Sequence, residues 1–321
     1  MLNSQQKEAS LHMHGPLLIL AGAGAGKTKT IVHRIENLIK QGTAPHQILA
    51  ITFTNKAAKE MRERVLSILT DTREAPFVST FHSLGVNILK EQHKVLGIPL
   101  HFGIYDKSDA KRAIKDAVEA CDLDPKQFDP GKFQNTISRE KGNFVTLEEY
   151  VEKANEYFEE MTAKVWTKYE ETLKKEKAFD FDDLLLKTAV LLKKNKEVRE
   201  YYQNRWKFIH IDEYQDTNKV QYMIATLLSE KEKNLCVVGD IDQNIYSWRG
   251  ADIQNILNFE KDYPDAKVIL LEENYRSTQR ILDVANEVIK KNKQRREKNL
   301  FTKNEEGEKI TLFESYDENE E

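Results

Sequence analysis

Six short apolar runs recur along the chain: Leu17–Leu20, Ile48–Phe53, Phe77–His82, the KFIHI stretch from Lys207, Leu235–Asp240 and Lys267–Leu271. Unbroken aliphatic and β-branched runs of this length predict strands buried within a sheet. Between them lie segments with helical spacing. KTKTIVHRIENLIKQG sets Ile31, Ile35, Leu38 and Ile39 on one face, and Gly42 can end that helix. Ala57–Val65 reads as a second helix, Asp180 caps a third in FDDLLLKTAVLLKKN, and Ser277 can cap a last one. Strands alternating with helices predict an α/β fold: a parallel sheet with helices on both faces.

The texture changes between about Leu84 and Ala178. Candidate helices at Gly85–Leu96, Ser108–Cys121 and Thr146–Lys177 follow one another with no convincing strand. Thr146 and Glu149 form a capping box for the last of them. Its apolar and aromatic positions, Tyr150, Tyr157, Phe158, Val165, Trp166 and Tyr169, read as core rather than as a binding stripe. The stretch is expected to be an all-helical insertion within the α/β domain. The expected boundaries are 1–84 and 179–275 for the two parts of that domain, 85–178 for the insertion and 276–321 for the opening of a further domain.

Composition narrows the class. The chain has 321 residues, 40% hydrophobic and 32% charged, with a net charge of −4. No global basic field advertises nucleic acid, so any such site must be a local patch. Cys121 and Cys236 are the only cysteines, which fits a reducing, cytoplasmic setting rather than a disulfide framework. The N-terminal residues lack the pattern of a signal peptide. No apolar run approaches the ~20 residues that span a bilayer. The basic run Lys290–Lys298 and the acidic Asp317–Glu321 both read as solvated.

The chemistry centres on Leu17–Thr28, LLILAGAGAGKT. A strand, a glycine-rich turn and a helix opening on Lys-Thr form the context of a phosphate-binding loop. Backbone N–H groups at Ala23, Gly24, Ala25 and Gly26 can surround a polyphosphate, and the helix beginning with Lys27, Thr28 and Lys29 adds its positive end. Lys27 can reach the β- and γ-phosphates, and the Thr28 hydroxyl can ligate Mg²⁺. Ala21 stands where the strict pattern has glycine. The loop alone leaves kinases, GTPases and motors open. Asp212 and Glu213 end an apolar strand, where a carboxylate can hold Mg²⁺ and a neighbouring one can act as base toward water. Lys27 and Asp212 are 185 positions apart, far beyond the ~30 residues of one βαβ unit, which agrees with an insertion.

Other strand ends carry polar and aromatic residues. Phe53, Thr54 and Asn55 follow the second strand, and His82 and Ser83 the third. In open α/β sheets ligands sit beyond these ends. Gln243 follows the fifth strand and could meet a γ-phosphate. Tyr246, Trp248 and Arg249 pair aromatics with a cation, which suits base stacking beside a phosphate. Arg276, beside Tyr275, could also reach a γ-phosphate.

In order, LNSQQKEA, AGAGAGKT, ITFTNKAAKEM, STFHS, FDFDDLL, IDEYQDTN, VGDIDQNIYSWRGAD and LEENYRST resemble the UvrD/PcrA/Rep family of superfamily 1 DNA helicases over nearly the whole chain. Nuclease-linked helicases share many of these motifs. The resemblance implies a RecA-like domain with an accessory helical insertion, ATP and Mg²⁺ as cofactors, and single-stranded DNA and duplex junctions as partners. It implies that Gln6 reads adenine with Arg34 nearby, that Tyr275 stacks on the base, and that Lys27 and Thr28 hold the phosphates. It further implies Asp212 with Thr28 at the metal, Glu213 as catalytic base, Gln243 as γ-phosphate sensor and Arg276 as arginine finger. Phe53, Thr54, Asn55, His82, Tyr246, Trp248 and Arg249 would contact DNA. Family members also carry a second RecA-like domain, so the chain is expected to be a fragment of a 3′-to-5′ translocase with weak turnover alone. A non-motor ATP-gated DNA-binding module and a small-molecule kinase are the competing classes.

Overall fold

The computed structural model describes residues 1–69, 74–292 and 298–317. Its centre is a sheet whose strands all run parallel, in the order β3-β2-β6-β7-β1-β8. Those strands are β1 (Leu17–Ala21), β2 (Ile48–Thr52), β3 (Phe77–Thr80), β6 (Phe208–Ile211), β7 (Leu235–Gly239) and β8 (Lys267–Leu271). The short strands β4 (Gly103–Tyr105) and β5 (Ala178–Asp180) pair with each other outside this sheet, so the insertion expected to be all-helical contains a strand.

Alternation along β1 explains the layers. Leu17, Ile19 and Ala21 pack with α1 (Ser4–Leu11), α2 (Lys27–Lys40) and α3 (Asn55–Ile68) through Ala9, Ile31, Ile35, Met61 and Val65. Leu18 and Leu20 turn to the other face. There α4 (Phe81–Glu91), followed by the short α5 (His93–Leu96), packs with three later helices. A strand with apolar residues on both sides has no solvent face, which is why the runs are unbroken. All six strands read from the sequence are present.

The insertion has its own core around Trp166, Tyr169, Phe133 and Val165. It comprises α6 (Lys107–Ala120), α7 (Pro130–Gly142), α8 (Leu147–Lys153) and α9 (Tyr157–Glu176). After β5 the chain returns to the sheet through α10 (Phe181–Lys194), α11 (Lys196–Arg205) and α12 (Lys219–Ser229), then α13 (Gln254–Leu257), α14 (Phe259–Asp262) and α15 (Gln279–Ile289).

Several local expectations need correction. Thr146–Lys177 is two helices, because Glu156 and Glu159 form a second capping box that starts α9 afresh. The Thr146–Glu149 box is present on α8. α7 has a start signal in Asp129 followed by Pro130 at its first position. The third strand ends at Thr80, whose hydroxyl accepts from Ser83 N, so His82 lies in the first turn of α4. Thr278, not Ser277, precedes α15, and Ser277 N instead donates to Asn274 Oδ1. Tyr150, Val165, Trp166 and Tyr169 are core, whereas Tyr157 and Phe158 are exposed. Lys298 is nearly buried rather than solvated, and residues 293–297 and 318–321 lie outside the described residues. Among the described residues no helix is long and apolar enough to cross a membrane.

Candidate functional site

β6, β7 and β1 are neighbours, so the loops after their carboxyl ends converge. Strands lie ~4.8 Å apart, which leaves β1 and β6 roughly 10 Å apart, within reach of a lysine stem. Lys27 Nζ spans that gap to Glu213 Oε2 at 2.8 Å. Thr28 Oγ1 donates to Asp212 Oδ2 at 3.1 Å.

The loop after β1 is held open from outside. Gln6 Nε2 donates to Ala25 O at 3.0 Å, Asn274 Nδ2 to Ala23 O at 2.6 Å, and Tyr275 N to Gly24 O at 3.0 Å. These contacts hold the three carbonyls, while the first N–H groups of α2 have no intrahelical partner. Gly24 and Gly26 have φ of +69° and +80°. A Cβ on Gly26 would stand 2.7 Å from Gln6 Nε2, so a side chain there would be strained by its φ and would push the Gln6 amide aside. Gln6 also closes the cap of α1 with Asn3. Arg34 is buried, and its guanidinium donates to the Ala9 and Met13 carbonyls near the end of α1. Lys29 Nζ donates to Met1 O. Arg276 is exposed, with its backbone N on Asn274 Oδ1 and its Cβ facing Gly24. Tyr275 is half exposed and donates to Glu273 Oε2.

Glu213 has φ +54°, a left-handed conformation that costs a non-glycine residue on the order of 1–3 kcal/mol. Its N–H donates to Asp212 Oδ1. Burial, reinforced by the Glu213 charge, raises the Asp212 carboxyl to about 6, against the opposing pull of Lys27 and Thr28. Burial and Glu213 likewise raise Asp216 to about 6.

Gln215 has no role in the sequence reading, yet it joins the loops. Its Nε2 donates to Glu213 and Asp216, its Oε1 accepts from Asp240 N, and its carbonyl accepts from Asn244 Nδ2. A Cβ on Gly239 would stand 2.6 Å from Gln215 Oε1, a close approach that only the folded strands create. Gln243 Nε2 donates to Asp240 Oδ2.

The aromatics gather beside this site. Phe53 stacks on Tyr246 at 5.0 Å, and Tyr246 lies 6.4 Å from Trp248, which is 72% exposed. Thr54 caps α3, and Asn55 Oδ1 accepts from Thr80 Oγ1. Thr52 and Thr80 are partners in the β2–β3 register, which sets the next pair alongside. There His82 meets Phe181 edge-on at 5.8 Å, and burial lowers the His82 pKa. Phe181 is half exposed; the sequence places it only within the FDFDDLL motif and gives it no role, and its signal was an aromatic straight after the Asp180 cap. The Arg249 side chain lies outside the described residues.

The sequence that builds this site has counterparts in known proteins. The family described as the UvrD/REP helicase N-terminal domain matches residues 2–264, and the UvrD-like helicase C-terminal domain matches residues 269–321. The ATP-dependent DNA helicases PcrA of Staphylococcus aureus and of Staphylococcus epidermidis are each 50% identical over all 321 residues. The chain spans 44% of the length of each. With that match running through the phosphate loop, the Asp212–Glu213 turn and the aromatic loop, the chain belongs to the UvrD/Rep helicase family.

Proposed function

We propose that the chain is the nucleotide-binding and strand-gripping part of an ATP-dependent DNA helicase that moves 3′ to 5′ along one strand. Residues 1–84 and 179–275 form its RecA-like domain, 85–178 the accessory insertion, although α4 at its start packs back on the sheet, and 276–321 the opening of a second RecA-like domain completed in a longer parent. The observation that carries this reading is the loop after β7. Gln243, on the nucleotide side, stands three residues before Tyr246, on the aromatic side. One short loop thus ties the phosphate state to the grip on DNA.

In this reading Lys27 and the loop amides bind the ATP phosphates, Gln6 and Tyr275 hold the adenine, and Arg34 fixes the end of α1. Glu213 takes a proton from the attacking water, Gln243 meets the γ-phosphate, and Arg276 stabilises charge in the transition state. Phe53, Thr54, Asn55, His82, Tyr246, Trp248 and Arg249 contact single-stranded DNA at a duplex junction, and Phe181 joins them. Thr28 and Asp212 offer a hydroxyl and a carboxylate, the hard oxygen donors that Mg²⁺ favours. Among the described residues no cluster of three or more His, Cys, Asp or Glu is arranged for a metal, which suits an ion completed by phosphates and water. Bound there, Mg²⁺ would neutralise phosphate charge. Both cysteines are free, in keeping with a cytoplasmic protein.

The test is ATP hydrolysis with and without single-stranded DNA at low and moderate salt. DNA-stimulated turnover supports a coupled site. Nucleotide and DNA binding without turnover, removed separately by Lys27→Ala and Trp248→Ala, supports a half-motor that needs the second domain. DNA-independent phosphate transfer to a small molecule would overturn the reading.

A further inference from the structure

The Asp240 carboxylate is shared between two parts of the chain. Its Oδ2 accepts from the Gln243 amide and its Oδ1 from Lys298 Nζ. Lys298 also pairs with Asp242 Oδ2 at 3.0 Å. The Lys298, Asp240 and Asp242 side chains are 8%, 3% and 8% exposed.

Lys298 belongs to a strap that follows α15 and is laced to the segment after β8. Asn299 N donates to Glu272 Oε1, Phe301 N to Glu272 O, Asn274 N to Phe301 O, and Thr302 Oγ1 to Asn274 O. Leu300 covers Gly22 in the phosphate loop. The same Asn274 holds the Ala23 carbonyl and the Arg276 N–H. One path of contacts therefore runs from Gln243 through Asp240 and Lys298 to the strap, and on to the phosphate loop and Arg276.

We propose that Lys298 is a positioning residue of the nucleotide site, holding the Asp240 carboxylate so that the Gln243 amide is presented to the γ-phosphate, and tying that sensor to the strap that sets Arg276. The inference rests on the reading of Gln243 given above. Two nearly buried carboxylates beside an anion site repel a triphosphate more than a diphosphate, because the third phosphoryl adds charge close to them. Lys298 supplies a compensating charge on Asp240 together with a fixed geometry. A lysine that merely stabilised the fold would not distinguish the two nucleotides.

The experiment measures binding of a fluorescent ADP and of a fluorescent non-hydrolysable ATP analogue, with Mg²⁺, to the 321-residue chain. Lys298→Ala is expected to lower the preference for the triphosphate roughly tenfold, the size of one charge-assisted hydrogen bond, with ADP affinity within about twofold. Lys298→Arg keeps the charge and is expected to keep most of the preference. Should Lys298→Ala melt below the assay temperature, Lys298→Met, which retains the apolar stem, is read the same way. Equal loss for both nucleotides, or no change in preference, overturns the inference. Gln243→Ala separates the levels. An unchanged preference there overturns the sensor reading and this inference with it. A lost preference there, beside an unchanged one in Lys298→Ala, overturns this inference alone.

Discussion

Trp248→Ala tests the aromatic grip with little disturbance of the fold. Trp248 is 72% exposed, so its truncation removes little packing, and the change in protein stability should stay within about 0.5 kcal/mol. The side chain sits in a single turn, Ser247–Arg249, closed by Gly250 at φ +84°. Its ring is 6.4 Å from Tyr246, which is braced on Phe53 at 5.0 Å. That brace holds a stacking surface ready before any base arrives. Loss of one base stack costs about 1–3 kcal/mol, so the Kd for single-stranded DNA should rise roughly 5- to 150-fold. The assay is fluorescence anisotropy of a labelled oligothymidylate, repeated from about 50 to 200 mM salt. No charge is removed, so the slope of log K against log salt should stay that of the parent while the whole line drops. Weakening below twofold, or a flattened slope, would refute the stacking argument.

Three further outcomes follow from other parts of the molecule. Lys141 is fully buried, 2.9–3.0 Å from Glu170, Asp180 and Asp183, so Lys141→Ala should destabilise by ~3–5 kcal/mol in urea unfolding. His210 is fully buried, and burial lowers its pKa from 6.5 to about 3, so the unfolded chain binds the extra proton and stability falls as pH drops below 6.5. His210→Val should therefore remove ~2 kcal/mol of the loss seen between about pH 7 and 5. Gly24→Ala would strain a left-handed position and set a Cβ 2.7 Å from Asn274 Nδ2; calorimetry should show weakened binding of ATP and ADP alike.

The strands, the phosphate loop and the Asp212–Glu213 turn were legible because each is a local pattern. A buried parallel strand needs an unbroken apolar run, and a phosphate loop needs glycines at fixed spacing. The break before α9 was not legible, because Glu156 is not among the usual N-cap residues and the helical periodicity around it runs on. Gln215 and Lys298 are a different matter. Gln215 meets Asp240 across 25 positions, and Lys298 meets it across 58. Their side chains acquire meaning only when β6 and β7 pair and the strap returns over the loops. A basic run near the end of the chain looked solvated because composition cannot say which lysine finds two buried carboxylates.

These pairings bear on how turnover would be gated. Lys27 is held by Glu213, Thr28 by Asp212, and Gln243 by Asp240. The groups proposed to bind ATP are thus partly satisfied by the groups proposed to act on it. A triphosphate on Lys27 would displace Glu213, a carboxylate still oriented by Gln215 and by its left-handed backbone. The base would then face water only once its substrate has arrived. Gln243, whose amide keeps a second N–H beside the one on Asp240, would meet the phosphate in the same event, and the few residues to Tyr246 span at most ~10 Å, so the aromatic stack could not stay indifferent to it. On the proposed roles, such a site would link hydrolysis to strand release through exchanged partners, with no long path between them.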